Sequence, residues 1–137
     1  FLEAICNASK RGVDVKILTP HIPDKKMIKI MTKSNYEKLI INGVKIYEFE
    51  KGFVHSKNVI VDDEFASIGT ANFDYRSFVH HFECGVWFYK SNIIKDMKKD
   101  FENIINNESI KMNVKNSKLS IPERLIKDLL RLIAPLI

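Results

Sequence analysis

His55 and Lys57 are the two residues of this sequence best suited to carry out chemistry. They are one residue apart in Phe53 to Val61, where the run FVHSKNVIV predicts a strand. Side chains alternate between the two faces of a strand, so both should point the same way, about 6.5–7 Å apart along the backbone. An imidazole that attacks or protonates, beside an ammonium that holds a non-bridging oxygen, suits a phosphate ester.

Two further polar features follow this pair along the chain. Asp62 comes at the end of the strand and on the opposite face, so it is at least as well placed to fix the turn as to touch a substrate. After six intervening residues comes the small-residue loop Gly69–Asn72. Backbone amides around Thr70 and the side chain of Asn72 could donate to an anion, although an Asx turn is the alternative for Asn72.

The combined pattern, His-x-Lys-x4-Asp-x6-Gly-Thr-x-Asn, resembles the signature of the phospholipase D superfamily, whose usual form has Ser or Thr after the glycine. The flanking sequence is similar to the second motif region of bacterial cardiolipin synthases, and one departure is His80-His81, where Leu-Asn or a similar pair is expected. The segments that carry this second similarity are 43–49, 52–53, 72–78, 82–83 and 132–136.

The resemblance implies a phospholipase D-like α/β sandwich, with one mixed β-sheet flanked by helices on both faces. It also implies phosphodiester exchange through a covalent phosphohistidine, with neither a metal ion nor another cofactor. His55 would be nucleophile or general acid, while Lys57, Thr70 and Asn72 would hold the phosphate, and Asp62 would support them.

Glu83 and Arg76 receive supporting roles from the same resemblance. Glu83 would orient a catalytic imidazole, and the alternative is an ordinary carboxylate on a surface strand. Arg76 would pair either with Asp74 or with a lipid headgroup, and the sequence does not rank these two partners.

Family enzymes bring two copies of the motif together, whereas this sequence contains one copy and no internal repeat. We therefore expect residues 1–137 to be one soluble domain, the C-terminal half of a longer enzyme whose N-terminal half carries the first motif. The implied substrate is the anionic phospholipid phosphatidylglycerol, at the cytoplasmic side of a bacterial membrane. The alternatives are a nuclease-like homodimer, with nucleic acid the less favoured partner, and a non-catalytic lipid-surface module.

Composition narrows the class of protein. A hydrophobic share of 45% with 28% charged residues is that of a globular domain, which argues against disorder. No apolar run approaches the ~20 residues of a membrane-spanning helix, and two cysteines are too few for a disulfide framework. The net charge of +5 favours anionic partners.

The elements that must position these residues alternate between helix and strand, which predicts the α/β class. The last helix begins with a capping-box pattern, Ser120 followed by Glu123, and 119–137 should be amphipathic. It is expected to pack on the domain, or alternatively to lie on a bilayer. The other predicted helices are 2–10, 24–41 and 92–106, and the predicted strands are 13–18, 44–49, 53–61, 65–68 and 81–89, with loops at 69–78 and 106–118.

Two basic features that precede the motif are expected to have ordinary structural roles. His21 precedes a helix and is expected to be a loop histidine, with anion binding as the alternative. Lys25, Lys29 and Lys33 recur at every fourth position, which is typical of a solvated helix face, with contact to acidic lipid as the alternative.

Overall fold

Helices and strands alternate through residues 1–133, the part of the chain that the computed structural model describes. Residues 134–137, the end of the predicted helix 119–137, lie outside it, and side chains are described to Leu130. The helices are α1 (Leu2–Lys10), α2 (Lys26–Lys33), α3 (Tyr36–Ile41), α4 (Tyr75–Val79), α5 (Ile93–Asn107) and α6 (Ile121–Ile133). The strands are β1 (Lys16–Pro20), β2 (Lys45–Phe49), β3 (Lys57–Val61), β4 (Phe65–Gly69), β5 (Gly85–Tyr89) and β6 (Ser109–Lys111).

The first sheet has the order β1-β2-β6. Strands β1 and β2 are parallel because helices α2 and α3 carry the chain back between them, whereas β6 joins β2 antiparallel. The main core lies where α1 and α3 cover this sheet. Burial of such side chains contributes roughly 1.5–3 kcal/mol each. The core residues are Cys6, Tyr36, Leu39, Val44, Ile46 and Met112.

The second sheet has the order β3-β4-β5 and is antiparallel throughout. Asp62, Asp63 and Glu64 connect β3 to β4, and Asp62 and Asp63 have φ values of 51° and 57°, the left-handed conformations typical of tight hairpin turns. At the other end of the hairpin, Gly69 lies opposite Gly85, and a Cβ on Gly69 would meet the Cys84 carbonyl oxygen at 2.8 Å. Gly69, the last residue of β4, therefore allows a close backbone approach to the start of β5.

The predicted α/β class is confirmed, and the strands divide into two small sheets rather than one. Helix α5 packs against β2 and β6 of the first sheet and β3 of the second. The predicted helix 24–41 is two helices, because Ser34 Oγ and Asn35 Nδ2 donate to the Met31 carbonyl at 2.6 and 3.3 Å and compete with the helical ladder. Strand β1 continues through Pro20, which its edge position in the sheet tolerates.

The strands around the motif are shorter than predicted. Strand β4 ends at Gly69, which pairs with Lys57 on one side and Gly85 on the other, so residues 53–56 and 81–84 have no strand to pair with. The prediction that His55 lies inside a strand is therefore wrong. The predicted loop 69–78 contains α4, whose first turn Asp74 caps by accepting from the Ser77 backbone N–H at 2.7 Å.

Within the described residues, no helix is long and apolar enough to cross a membrane.

Candidate active site

The ends of three strands gather several polar residues at one edge of the second sheet. Lys57 opens β3, Thr70 directly follows β4, and Cys84 directly precedes β5. Because Lys57 pairs with Gly69 and Gly69 with Gly85, these three positions lie side by side. The sheet register therefore gathers residues that are up to 27 positions apart in the sequence, from Lys57 to Cys84.

His55 and Lys57 are held together by a hydrogen bond, not by strand geometry. Lys57 Nζ donates to the His55 backbone carbonyl at 2.5 Å. The exposed imidazole of His55 stacks on Phe53, with ring centroids 5.6 Å apart. The ammonium thus lies beside the peptide that carries the imidazole, although the two residues do not share a strand face.

Thr70 joins the end of β4 to the start of β5. Its backbone N–H donates to the Cys84 carbonyl at 2.9 Å, and its hydroxyl accepts from the Cys84 N–H at 3.0 Å. The same hydroxyl donates to Glu83 Oε2 at 2.5 Å. The Thr70 side chain is therefore occupied in orienting a carboxylate, which is a positioning contact.

Glu83 is the best-connected carboxylate at this edge. The hydrogen bond from Thr70, with smaller contributions from Ser77 and His81, holds the pKa of the Glu83 carboxyl below its usual value. The imidazole beside it belongs to His81, whose Nδ1 lies 3.6 Å from Glu83 Oε1. The carboxylate accordingly stays ionised and available to an imidazole over most of the pH range.

His81 was not predicted as a site residue. Arg76 Nε donates to His81 Nε2 at 2.8 Å, so Arg76 has a partner other than the two predicted for it. Because a guanidinium can only donate, Nε2 is the acceptor and the ring proton lies on Nδ1, the atom that faces Glu83. The departure at His80-His81 from the expected Leu-Asn was the available signal for this chain of contacts.

Asn72 and Asp62 occupy different parts of the hairpin. The Asn72 backbone N–H donates to Ser77 Oγ at 3.1 Å, while its exposed side-chain amide makes no hydrogen bond within the described residues, so no Asx turn forms. Asp62 lies in the β3–β4 turn, beyond a strand of roughly 13 Å at ~3.3 Å per residue from Lys57. The structure brings Asn72 near this edge and leaves Asp62 at the far end.

A second polar cluster was not predicted from the sequence because its members are distant from one another along the chain. Glu48 is 2% exposed, and its carboxylate accepts from Lys29 Nζ at 2.6 Å and Tyr36 Oη at 3.0 Å, with His21 Nδ1 at 2.8 Å. The predicted solvated row is thus wrong for Lys29, which points inward. Within the described residues, no three His, Cys, Asp or Glu side chains are grouped as metal ligands.

Burial and nearby charge shift the pKa of Glu48 in opposite directions but both raise the pKa of Tyr36. Burial raises the pKa of Glu48, but the hydrogen bonds from Lys29 and His21 outweigh it and leave that pKa below its usual value. Burial also raises the pKa of Tyr36 well above its usual range, and the nearby Glu48 adds to the effect. The cluster therefore contains an ionised carboxylate held by a cation, an imidazole and a neutral phenol.

Comparison with known proteins gives a consistent picture. Residues 1–105 match the family model described as cardiolipin synthase, PLD-like domain. The chain is 41% identical to Cardiolipin synthase 2 of Bacillus anthracis, over 100% of this chain and 27% of that protein. It is 38% identical to Cardiolipin synthase 1 of Staphylococcus aureus, over 100% of this chain and 28% of that protein. The chain thus spans little more than a quarter of these relatives.

A solved structure shares the fold. The crystal structure of Nuc from Salmonella typhimurium, a phospholipase D family member, superposes with a TM-score of 0.70. The match covers 82% of this chain and 72% of that one, at 20% sequence identity.

Proposed function

Because this chain belongs to the family of cardiolipin synthase, phospholipase D-like domains, we propose that it contributes one half of a phosphatidyltransferase active site. The reaction joins two phosphatidylglycerol molecules into cardiolipin and releases glycerol. The observation that carries this proposal is the sheet edge where the His55–Lys57 pair and the Thr70–Glu83 pair come together.

The chemistry proceeds in two displacements at phosphorus. An imidazole nitrogen attacks the phosphorus of the first phosphatidylglycerol, and the P–O bond to its glycerol headgroup breaks. A protonated imidazole gives its proton to the departing glycerol oxygen. A hydroxyl of the second phosphatidylglycerol then loses its proton to that imidazole and attacks the phosphohistidine, which releases the first nitrogen. His55 serves in one of these two roles.

Lys57 and Asn72 hold the phosphate in this proposal. The hydrogen bond from Lys57 Nζ to the His55 carbonyl is exchanged for one to a non-bridging oxygen, which keeps the ammonium beside the reacting imidazole. The exposed amide of Asn72 donates to a second oxygen. Thr70 and Glu83 act as positioning residues, since the Thr70 hydroxyl is already committed to the carboxylate.

The other half of the site is supplied by the rest of the enzyme. A reaction that needs two imidazoles requires a second motif, and this chain spans 27% of the length of the Bacillus anthracis relative. We propose that the missing half carries that motif and that the assembled site works at the cytoplasmic side of a bacterial membrane, where phosphatidylglycerol is present.

The test is a product assay on the full-length enzyme. Incubated with phosphatidylglycerol vesicles, it should form cardiolipin and glycerol in equal amounts, measured by mass spectrometry of the lipids and enzymatic detection of glycerol. Release of phosphatidic acid without cardiolipin would indicate hydrolysis instead of transfer. Cleavage of DNA by a homodimer of the 137-residue chain would contradict the synthase proposal and favour a nuclease.

A further inference from the structure

Helix α6 leaves one row of its apolar side chains exposed. Ile121, Leu125 and Leu129 recur at every fourth position and are 77%, 70% and 65% exposed, whereas Leu130 is 3% exposed. Glu123 lies on the opposite side of the helix from this row, is only partly exposed, and interacts electrostatically with Lys33 at the end of α2. An amphipathic helix normally buries its apolar stripe, so this arrangement leaves three large side chains without a protein partner in the described part of the chain.

A basic cleft lies along one flank of this row. It has a volume of about 440 Å³ and lies between α6, the end of α2 and the segment 117–119. Lys33, Lys118, Arg124 and Lys127 line it, against a single lining carboxylate, Glu37. At 3.6 residues per helical turn, Arg124 lies about 100° around α6 from the centre of the apolar row, and Lys127 lies nearly opposite that row.

Two acidic groups near the cleft, Glu123 and Asp128, are already engaged. Glu123 accepts from both the backbone N–H and the hydroxyl of Ser120 at 2.7 Å, which is the predicted capping contact. These bonds, with Lys33 nearby, keep the pKa of Glu123 below its usual value. Asp128 lies 3.0 Å from Lys127. Among the described side chains, Lys33, Lys118 and Arg124 form no ion pair, so their charge is available to an anion from outside.

We propose that the cleft and the apolar row together form a second, non-catalytic lipid site that docks the domain on an anionic bilayer. The phosphate of one lipid enters the cleft among Lys33, Lys118 and Arg124, while Ile121, Leu125 and Leu129 enter the acyl boundary. Charge complementarity selects an acidic surface, and the acyl boundary of a bilayer buries the apolar row, which a nucleic acid would not do. The cleft shares no lining residue with the sheet edge that carries His55 and Thr70.

The charge arm of the test uses vesicle sedimentation with the 137-residue chain. The probes are phosphatidylcholine vesicles with and without phosphatidylglycerol. The triple variant K33Q/K118Q/R124Q should lose about a hundredfold in affinity for the anionic vesicles, since each basic residue at such a surface contributes roughly fivefold. The matched control K95Q/K99Q/K115Q removes the same charge from positions outside the cleft and should lose only a few-fold. Equal losses in the two triple variants would overturn the proposal.

The apolar arm compares two single substitutions of equally exposed side chains. Leu125→Asn should weaken binding to anionic vesicles about tenfold because a leucine no longer enters the acyl boundary. Ile41→Asn, at a 68% exposed position at the end of α3, should leave binding unchanged. Both positions are exposed, so melting curves should stay close to the parent. Unchanged binding by Leu125→Asn would refute insertion of α6.

A direct readout guards against misfolded variants. In a Cys84→Ser background, Leu125→Cys labelled with an environment-sensitive dye should shift to the blue on anionic vesicles and not in inorganic phosphate. An unshifted spectrum on bound protein would contradict the proposed orientation. His55→Ala should bind vesicles as the parent does. Intact docking by a parent enzyme that forms no cardiolipin would contradict the proposed function alone.

Discussion

The Thr70 hydroxyl donates to Glu83 Oε2 at 2.5 Å while accepting from the Cys84 N–H at 3.0 Å. A single side chain at the end of β4 thus connects to the backbone and the carboxylate that precede β5. The contact exists because Gly69 and Gly85 allow the two strands to approach closely at this end of the sheet.

Removal of that hydroxyl should lower activity with little effect on substrate affinity. Thr70→Val keeps the shape of the side chain but leaves Glu83 without its first hydrogen-bond donor, and we expect kcat of the full-length enzyme to fall roughly tenfold, as for other residues that orient catalytic groups. The pKa of Glu83, followed by carboxylate NMR, should rise toward its usual value. Thr70→Ser should restore both kcat and the lowered pKa of Glu83. A normal kcat for Thr70→Val would show that the contact is only structural.

Substitution of His55 should abolish turnover while leaving the fold intact. The side chain is exposed and precedes β3, so little burial is lost in His55→Ala. We expect the turnover of the full-length enzyme to fall at least about 10³-fold, with a melting temperature within roughly 1 °C of the parent. His80→Ala, an exposed histidine elsewhere at this edge, is the control and should retain most activity. A collapse of the melting temperature in His55→Ala would identify His55 as a structural residue.

Glu48→Gln should destabilise the domain even though it lies outside the motif. The carboxylate is buried, and the substitution leaves the Lys29 ammonium without its charged partner. We expect a loss of about 2–3 kcal/mol in the free energy of unfolding, measured by urea denaturation. Glu50→Gln, two residues along at an exposed position, should change it by less than about 0.5 kcal/mol. Similar urea midpoints for the two variants would contradict the proposed contribution of Glu48 to stability.

The same carboxylate should make stability depend on pH at the acidic end. The folded-state pKa of Glu48 lies below its ordinary value of 4.5, so the stabilisation is complete above that value. It is lost as the pH falls through the lower, folded pKa, because the folded carboxylate must then take up a proton. Urea midpoints of the parent should fall across this range more steeply than those of Glu48→Gln. Parallel pH profiles would exclude Glu48 as a source of the dependence.

Local sequence patterns were enough to predict the helices and strands whose apolar residues follow a single periodicity. Helix α1 and strand β2 appear as predicted or within one residue of it, and α5 differs by one residue at each end. The predicted helix 24–41 failed because hydrogen bonds from Ser34 and Asn35 to the backbone interrupt the helix without disturbing the apolar pattern. The predicted strands around His55 and His81 failed because a strand ends where its partner ends.

The sequence by itself was enough to predict the chemistry that we propose for the site, because His55, Lys57 and Asn72 occur in the spacing of a specific motif. It also determined the α/β class, which follows from alternating periodicities along the chain. The tertiary structure alone decided the partners: Thr70 with Glu83, Arg76 with His81, and Glu48 with Lys29. It also decided which side of α6 faces outward. Hydrogen bonds and packing depend on distances between residues far apart in sequence, and those distances are set only when sheets and helices assemble.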